Sequence, residues 1–268
     1  MEKRLLELEE IKRIQLDILD CIDRFCKAKG LRYSLSYGTL IGAVRHHGYI
    51  PWDDDIDLIM PRPDYDRFLK EFVSDKEYVL DLSMSNNCVE TFAKVCRKGT
   101  YMVDRSLGRE LWGINVDIFP IDGGPEIGLE SHYDAINKKK EWIPRLCTFY
   151  KVVRKDKALW FAKYLLKRIR YPHIGNCASV KAEIDDALRA CRFEEAPLAS
   201  AYYEGVREFL PREWFESYTE LTFENKLYPV ISHYDEYLRC LYGDYMQLPP
   251  EEKRVSHHDY DSYIEVLS

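Results

Sequence analysis

Apolar residues in the first thirty positions fall at Leu5, Leu8, Ile11, Ile14, Ile18, Cys21, Ile22 and Phe25, the spacing of one helix face. Gly30 follows as a C-cap, so a helix is predicted over 2–29. The period then shortens. Residues 33–37 alternate and meet Gly38, which predicts a short strand, and 39–45 return to helical spacing behind Gly38 and Thr39. A loop over 46–52 leads to a strand over 55–60, bracketed by Pro51 and Pro61, and Pro63 opens another helix. Strands are also predicted over 78–83, 91–97 and 113–119, the last closed by turn residues 120–125. From about 126 to 238 the pattern is mostly helical, and 242–250 read as a turn-rich return segment.

Chemistry concentrates where the pattern is least comfortable. Asp53, Asp54, Asp55 and Asp57 crowd into five positions and run into Ile56, Leu58, Ile59 and Met60. Carboxylates so close repel one another, and burial beside aliphatics raises the cost unless a cation answers them. Alternation along a strand points Asp55 and Asp57 the same way, about 7 Å apart. Asp117 stands alone among Ile114, Val116, Ile118 and Phe119, which is costly without a partner. A hard divalent ion held by one or two carboxylates and a substrate's phosphates relieves such crowding. Gly38 and Thr39, at a helix start, offer unpaired backbone N–H groups to an anion, and glycine removes the Cβ that would block its approach. The segment therefore reads as a metal-dependent phosphate site.

Composition adds two constraints. Eight cysteines show no CxxC spacing, which favours reduced, mostly buried thiols over a zinc site. The first ten residues are too charged for a signal peptide and no apolar run approaches a membrane span, so a cytoplasmic location is expected. The net charge of −7 conceals a basic stretch: 138–171 holds twelve Lys or Arg against Glu141 and Asp156, interleaved with Trp142, Phe149, Tyr150, Trp160, Phe161 and Tyr164. Three readings stay open for it. It is a solvated helical face with an apolar stripe in the core, a membrane-surface segment, or a patch for an anionic glycan or nucleic acid.

Assembled, these stretches resemble the LicD family of phosphotransferases, within the nucleotidyltransferase superfamily and related to fukutin-type proteins. The likeness lies in 37–46, in 48–57 and in 116–120, with weaker similarity at 242–246 and from Pro249 to His258. It implies an α+β fold, a nucleotidyltransferase-like mixed sheet flanked by helices with a mostly helical C-terminal half. It also implies one domain over 1–268, with a catalytic core at 30–125 and a helical elaboration with a C-terminal return segment at 126–268. By resemblance, Asp55, Asp57 and Asp117 are the catalytic ligands of Mg²⁺, with Mn²⁺ as an alternative. Gly38, Thr39, Arg45, Lys94, Arg97, His257 and His258 would bind substrate phosphates. The implied reaction moves phosphocholine or a related phospho-alcohol from a CDP-activated donor, CDP-choline foremost, to a glycan hydroxyl of teichoic acid, lipopolysaccharide or capsule. A lipid-linked acceptor would place the chain peripherally on the cytoplasmic membrane face; no nucleic-acid partner is expected.

Two other functions compete with this one. A nucleotidyltransferase would move a nucleoside monophosphate and release pyrophosphate. A protein of the same fold that binds nucleotide without turnover would not need all three acids. Trp52, Tyr37, Tyr49 and Trp112 are candidates for a quaternary-ammonium pocket, with plain packing as the alternative for each.

Overall fold

In a computed structural model the described residues are 2–105, 109–147, 166, 169, 176–255 and 260–266. In chain order, β1 (Glu2–Leu5) leads to α1 (Leu8–Lys29), β2 (Ser34–Leu35), α2 (Tyr37–His46), β3 (Asp57–Pro61) and α3 (Arg62–Glu71). Then come β4 (Glu77–Asp81), β5 (Ala93–Arg97), β6 (Thr100–Asp104), β7 (Arg109–Glu110), β8 (Asn115–Gly124), α4 (Leu129–Lys140) and α5 (Ile143–Leu146). The rest comprises α6 (Cys177–Arg189), β9 (Leu198–Ser200), β10 (Leu210–Pro211), β11 (Tyr218–Phe223), β12 (Lys226–Ile231), α7 (Tyr234–Tyr242) and β13 (Tyr260–Val266).

The central sheet is mixed, in line with the α+β expectation. It runs β10-β9-β8-β3-β2, with β5 on β8 and β4 on β5. Within it β3 and β8 are parallel, and β2 and β5 are antiparallel to their neighbours. Both central strands are apolar through their middles, because each is covered on both faces: Leu58, Ile59, Met60, Val116, Ile118 and Phe119 are buried. Helix α1 lays Ile18, Leu19, Ile22 and Cys26 into this core and stops at Gly30, whose φ of 62° lies in the left-handed region glycine favours. A second apolar cluster joins α4, α5 and α6 to Tyr202 and Phe209.

The structure corrects three expectations. Residues 2–5 form β1, paired antiparallel to β13, rather than the first turn of α1. The strand predicted to end at 119 continues to Gly124, where β9 pairs with it. The later chain is less helical than its pattern: β9, β10 and the hairpin β11–β12 occupy much of 198–231. Phe215, Phe223, Tyr228 and Ile231 from this region pack into the same core as β3 and β8.

Candidate active site

The parallel register sets Asp57 opposite Asp117 at the same end of β3 and β8. Asp55 sits just before β3 rather than on it, so the predicted strand alternation does not orient it. With Asp54, Lys94 and Asp117 it lines a cavity of about 460 Å³. The topology thus brings Asp117 beside Asp57 and near Asp55, from which the sequence separates it by about sixty residues.

The surrounding groups hold these acids firmly. The Asp57 backbone N–H donates to Thr39 Oγ1 at 2.9 Å, tying the start of α2 to the acid strand. The Asp117 carboxylate accepts Lys94 Nζ on both oxygens at 2.6 Å, and also accepts the Asn115 amide. Trp112 Nε1 donates in turn to Asn115 Oδ1 at 3.1 Å. Burial, followed by Asp55, Asp117 and Asp53, pushes the Asp57 carboxyl well above the usual range, and Lys94 offsets part of this. Burial lowers the Lys94 ammonium while Asp117 raises it, and the ammonium ends above its ordinary value. Gln15 of α1 donates to the Asp54 carbonyl at 2.8 Å and accepts the Tyr49 hydroxyl at 3.0 Å, bracing the acid loop from beneath.

These donors are all hard oxygens, which suits a divalent cation of the Mg²⁺ class. Among the described residues, no three acid, imidazole or thiol groups stand gathered as a ready ligand set. Asp117 is instead turned to Lys94 and Asn115.

The other predicted residues divide. Gly38 lies against Asp53: a Cβ there would come within 2.7 Å of Asp53 Oδ2 and push that carboxylate aside. Thr39 is buried and its hydroxyl serves Asp57. Lys94 faces Asp117 rather than a remote phosphate subsite. Arg97 does not belong to the site. Three residues beyond Lys94 on β5, it takes the opposite face and pairs with Glu77 at 3.2 Å and Asp17 at 3.3 Å. Arg45 is not among the residues lining the acid cavity and gives Nη1 to the Tyr245 carbonyl at 2.6 Å. His257 and His258 lie outside the described residues, as does most of the basic stretch 138–171.

The proposed aromatic set separates in the same way. Tyr37 and Tyr49 are buried in packing, and Trp52 meets His46 edge-on. Trp112 lines the cavity, where Phe92, Tyr203 and Tyr260 join it. Sequence reasoning passed over Asn115 and Glu208. Asn115 is two residues before Asp117 and shares its face, a signal that alternation offered. Glu208 had none: it reaches Tyr37 Oη at 2.6 Å and the Tyr203 N–H at 2.7 Å from 171 and 5 residues away.

Residues 30–152 match the family described as "LicD/FKTN/FKRP, nucleotidyltransferase domain". The lipopolysaccharide cholinephosphotransferase LicD of Haemophilus influenzae is 31% identical over 265 residues, spanning 97% of this chain and 98% of that protein. The chain belongs to the LicD family. All three acids fall within the matched family region, as do Gly38, Thr39, Lys94 and Trp112. The match along nearly the whole relative extends the likeness through the β11–β12 hairpin and the C-terminal segment. Among the described residues, no helix is long and apolar enough to cross a membrane.

Proposed function

We propose that this LicD-family chain transfers phosphocholine, or a closely related phospho-alcohol, from a CDP-activated donor to a sugar hydroxyl of a cell-surface glycan. The observation that carries the reading is the Asp57–Asp117 register pair beside Asp55, with Asp55 and Asp117 lining a cavity that has an aromatic wall. Asp55, Asp57 and Asp117 would hold Mg²⁺ or Mn²⁺, which when bound supplies charge neutralisation at diphosphate oxygens.

The chain's own residues would do the rest. The acceptor hydroxyl oxygen attacks the phosphorus that bears the alcohol, and the bond from that phosphorus to the CMP oxygen breaks, the electron pair leaving with CMP. Asp117 accepts the hydroxyl proton. Lys94, hydrogen-bonded to both Asp117 oxygens, fixes that carboxylate's orientation and keeps a positive charge beside the transferred group. The faces of Phe92 and Trp112 already take the Lys94 ammonium at 5.0 and 5.2 Å from their ring centroids. Choline is favoured among the alcohols on the activity named for the Haemophilus relative. The glycan is lipopolysaccharide by the same likeness, with teichoic acid or capsule as further acceptors, reached from the cytoplasmic side.

Incubating the purified chain with CDP-choline, a glycan acceptor and Mg²⁺ should release CMP. Asp57→Asn and Asp117→Asn should each lower that release by more than about 100-fold, beyond what loss of an outer-shell partner costs. Pyrophosphate release from CTP in place of CMP would instead make the chain a nucleotidyltransferase and overturn the proposal.

A further inference from the structure

Among the described residues, four of the six buried or half-buried arginines meet a carboxylate. Arg32 pairs with Asp64, Arg62 with Asp122, Arg97 with Glu77, and Arg212 with Glu216. Arg45 and Arg254 are the exceptions among the described residues of that class: neither forms an ion pair there. This occurs in a chain with 46 acidic against 39 basic residues, so carboxylates are not scarce.

The two guanidiniums share one neighbourhood. Arg45 gives Nη1 to the Tyr245 carbonyl at 2.6 Å and Nε to His46 Nε2 at 2.9 Å. His46 meets the edge of Trp52, and Arg254 lies over the same ring at 5.7 Å while giving Nε to the Pro249 carbonyl at 2.8 Å. Arg254 is near enough to act electrostatically on Arg45. Two like charges brought together, each anchored by part of its fork to neutral carbonyls, leave further N–H donors and a positive field that no ion pair among the described residues offsets. An arginine fork matches phosphate oxygens two at a time.

The expected phosphate cradle at Gly38 and Thr39 is engaged elsewhere. Asp53 lies against Gly38, and the Thr39 hydroxyl receives the Asp57 N–H. On α2, Gly38, Ile41 and Arg45 share one face, so the arginine pair lies along the same helix, about two turns from the acid loop. Trp52 precedes Asp53 directly and joins the two places. We infer that Arg45 and Arg254 form an anion site for the phosphates of a nucleoside diphosphate, with Arg254 brought from the C-terminal segment. This rests on the donor proposed above: the acids would hold the phosphate under attack, and the arginine pair the neighbouring phosphate of the same diphosphate.

The test is binding without turnover. The full chain, with divalent ions chelated, is titrated calorimetrically with CDP, with inorganic pyrophosphate and with phosphatidylglycerol vesicles. CDP and pyrophosphate should both bind, and Arg254→Ala should weaken each by about tenfold or more, the size of a lost charge-assisted contact. Arg45→Lys keeps the charge but loses the fork, so it should weaken binding by a smaller factor; it also guards against misfolding of an Arg45→Ala protein. Wild-type failure to bind CDP overturns the inference, as does CDP binding unchanged in Arg254→Ala, or Arg254-dependent binding of the vesicles alone. The donor reading is judged separately. CMP release by wild type with unaltered CDP binding in Arg254→Ala removes only the arginine site. Arg254-dependent CDP binding without CMP release removes only the proposed reaction.

Discussion

The parallel pair β3 and β8 carries carboxylates at both of its ends, and the two ends treat them in opposite ways. Beyond the Pro61–Ile121 register, Arg62 grips Asp122 with two hydrogen bonds of 2.7 and 2.5 Å, and Asp185 adds a third charge at 3.4 Å from the guanidinium. That end is a closed ion pair, with Asp122 only 2% exposed. At the other end Asp57 and Asp117 face each other across the same strands with Asp55 nearby, and Lys94 answers Asp117 while Asp57 is left with its carboxyl pushed upward by burial and by its acidic neighbours. One end spends its charges on holding the sheet; the other keeps a concentrated negative field at a cavity. Natural chains tolerate such local conflict where function needs it.

The sharpest way to break this contrast is at the closed end. Arg62→Ala should destabilise the protein by about 3–5 kcal/mol, because it leaves Asp122 buried without its partner. Chemical denaturation measures this. Replacing both partners, as Arg62→Met with Asp122→Leu, should recover much of the loss, since a well-packed apolar pair avoids the desolvation cost. A single variant whose denaturation midpoint did not move would mean that the bidentate pair contributes nothing net.

The open end should respond with the opposite sign. Asp57→Asn removes a charge from a crowded set and keeps the backbone N–H that binds Thr39, so the melting temperature should stay level or rise while CMP release collapses. Parallel melting and activity curves read both effects on one preparation. Destabilisation as large as that of Arg62→Ala would make the acid cluster structural, and the contrast between the ends would vanish.

Much of the open end was legible because its signals are local. Gly38, Thr39, Asp55 and Asp57 lie within twenty residues, and the lone acid at Asp117 stands out in an apolar strand. What escaped depends on contacts the chain makes over long separations. Leu5 continues the apolar period of α1, yet β1 pairs with a strand some 260 residues later, and that ladder overrides local periodicity. The β11–β12 hairpin turns at Glu224 and Asn225, both with positive φ, without the glycine that usually marks such a turn. Arg97 was misplaced by ignoring parity: an odd step from Lys94 along β5 crosses to the far face. Glu208 sits in a short 3₁₀ turn where no periodicity signals a role.

Glu208 also offers the mildest refinement, since it is a buried acid that belongs to neither end. It is 1% exposed and accepts four hydrogen bonds, from Tyr37, Ser200 and the backbone N–H groups of Tyr203 and Glu204. Burial raises its carboxyl above the ordinary value of 4.5, and those four donors pull it part of the way back. The folded chain therefore keeps this proton at pH values where the unfolded chain has released it. Its contribution to stability is complete below pH 4.5 and is lost as pH rises through the folded value. Glu208→Gln cannot titrate: its amide oxygen can serve the Ser200 and backbone donors, and its NH₂ can donate to Tyr37 once that hydroxyl turns to accept. The variant should lose on the order of 1 kcal/mol at acidic pH, and the gap to wild type should narrow as pH climbs above 4.5. A gap that stayed constant over that range would show that Glu208 remains ionised throughout, held by its four donors against the cost of burial.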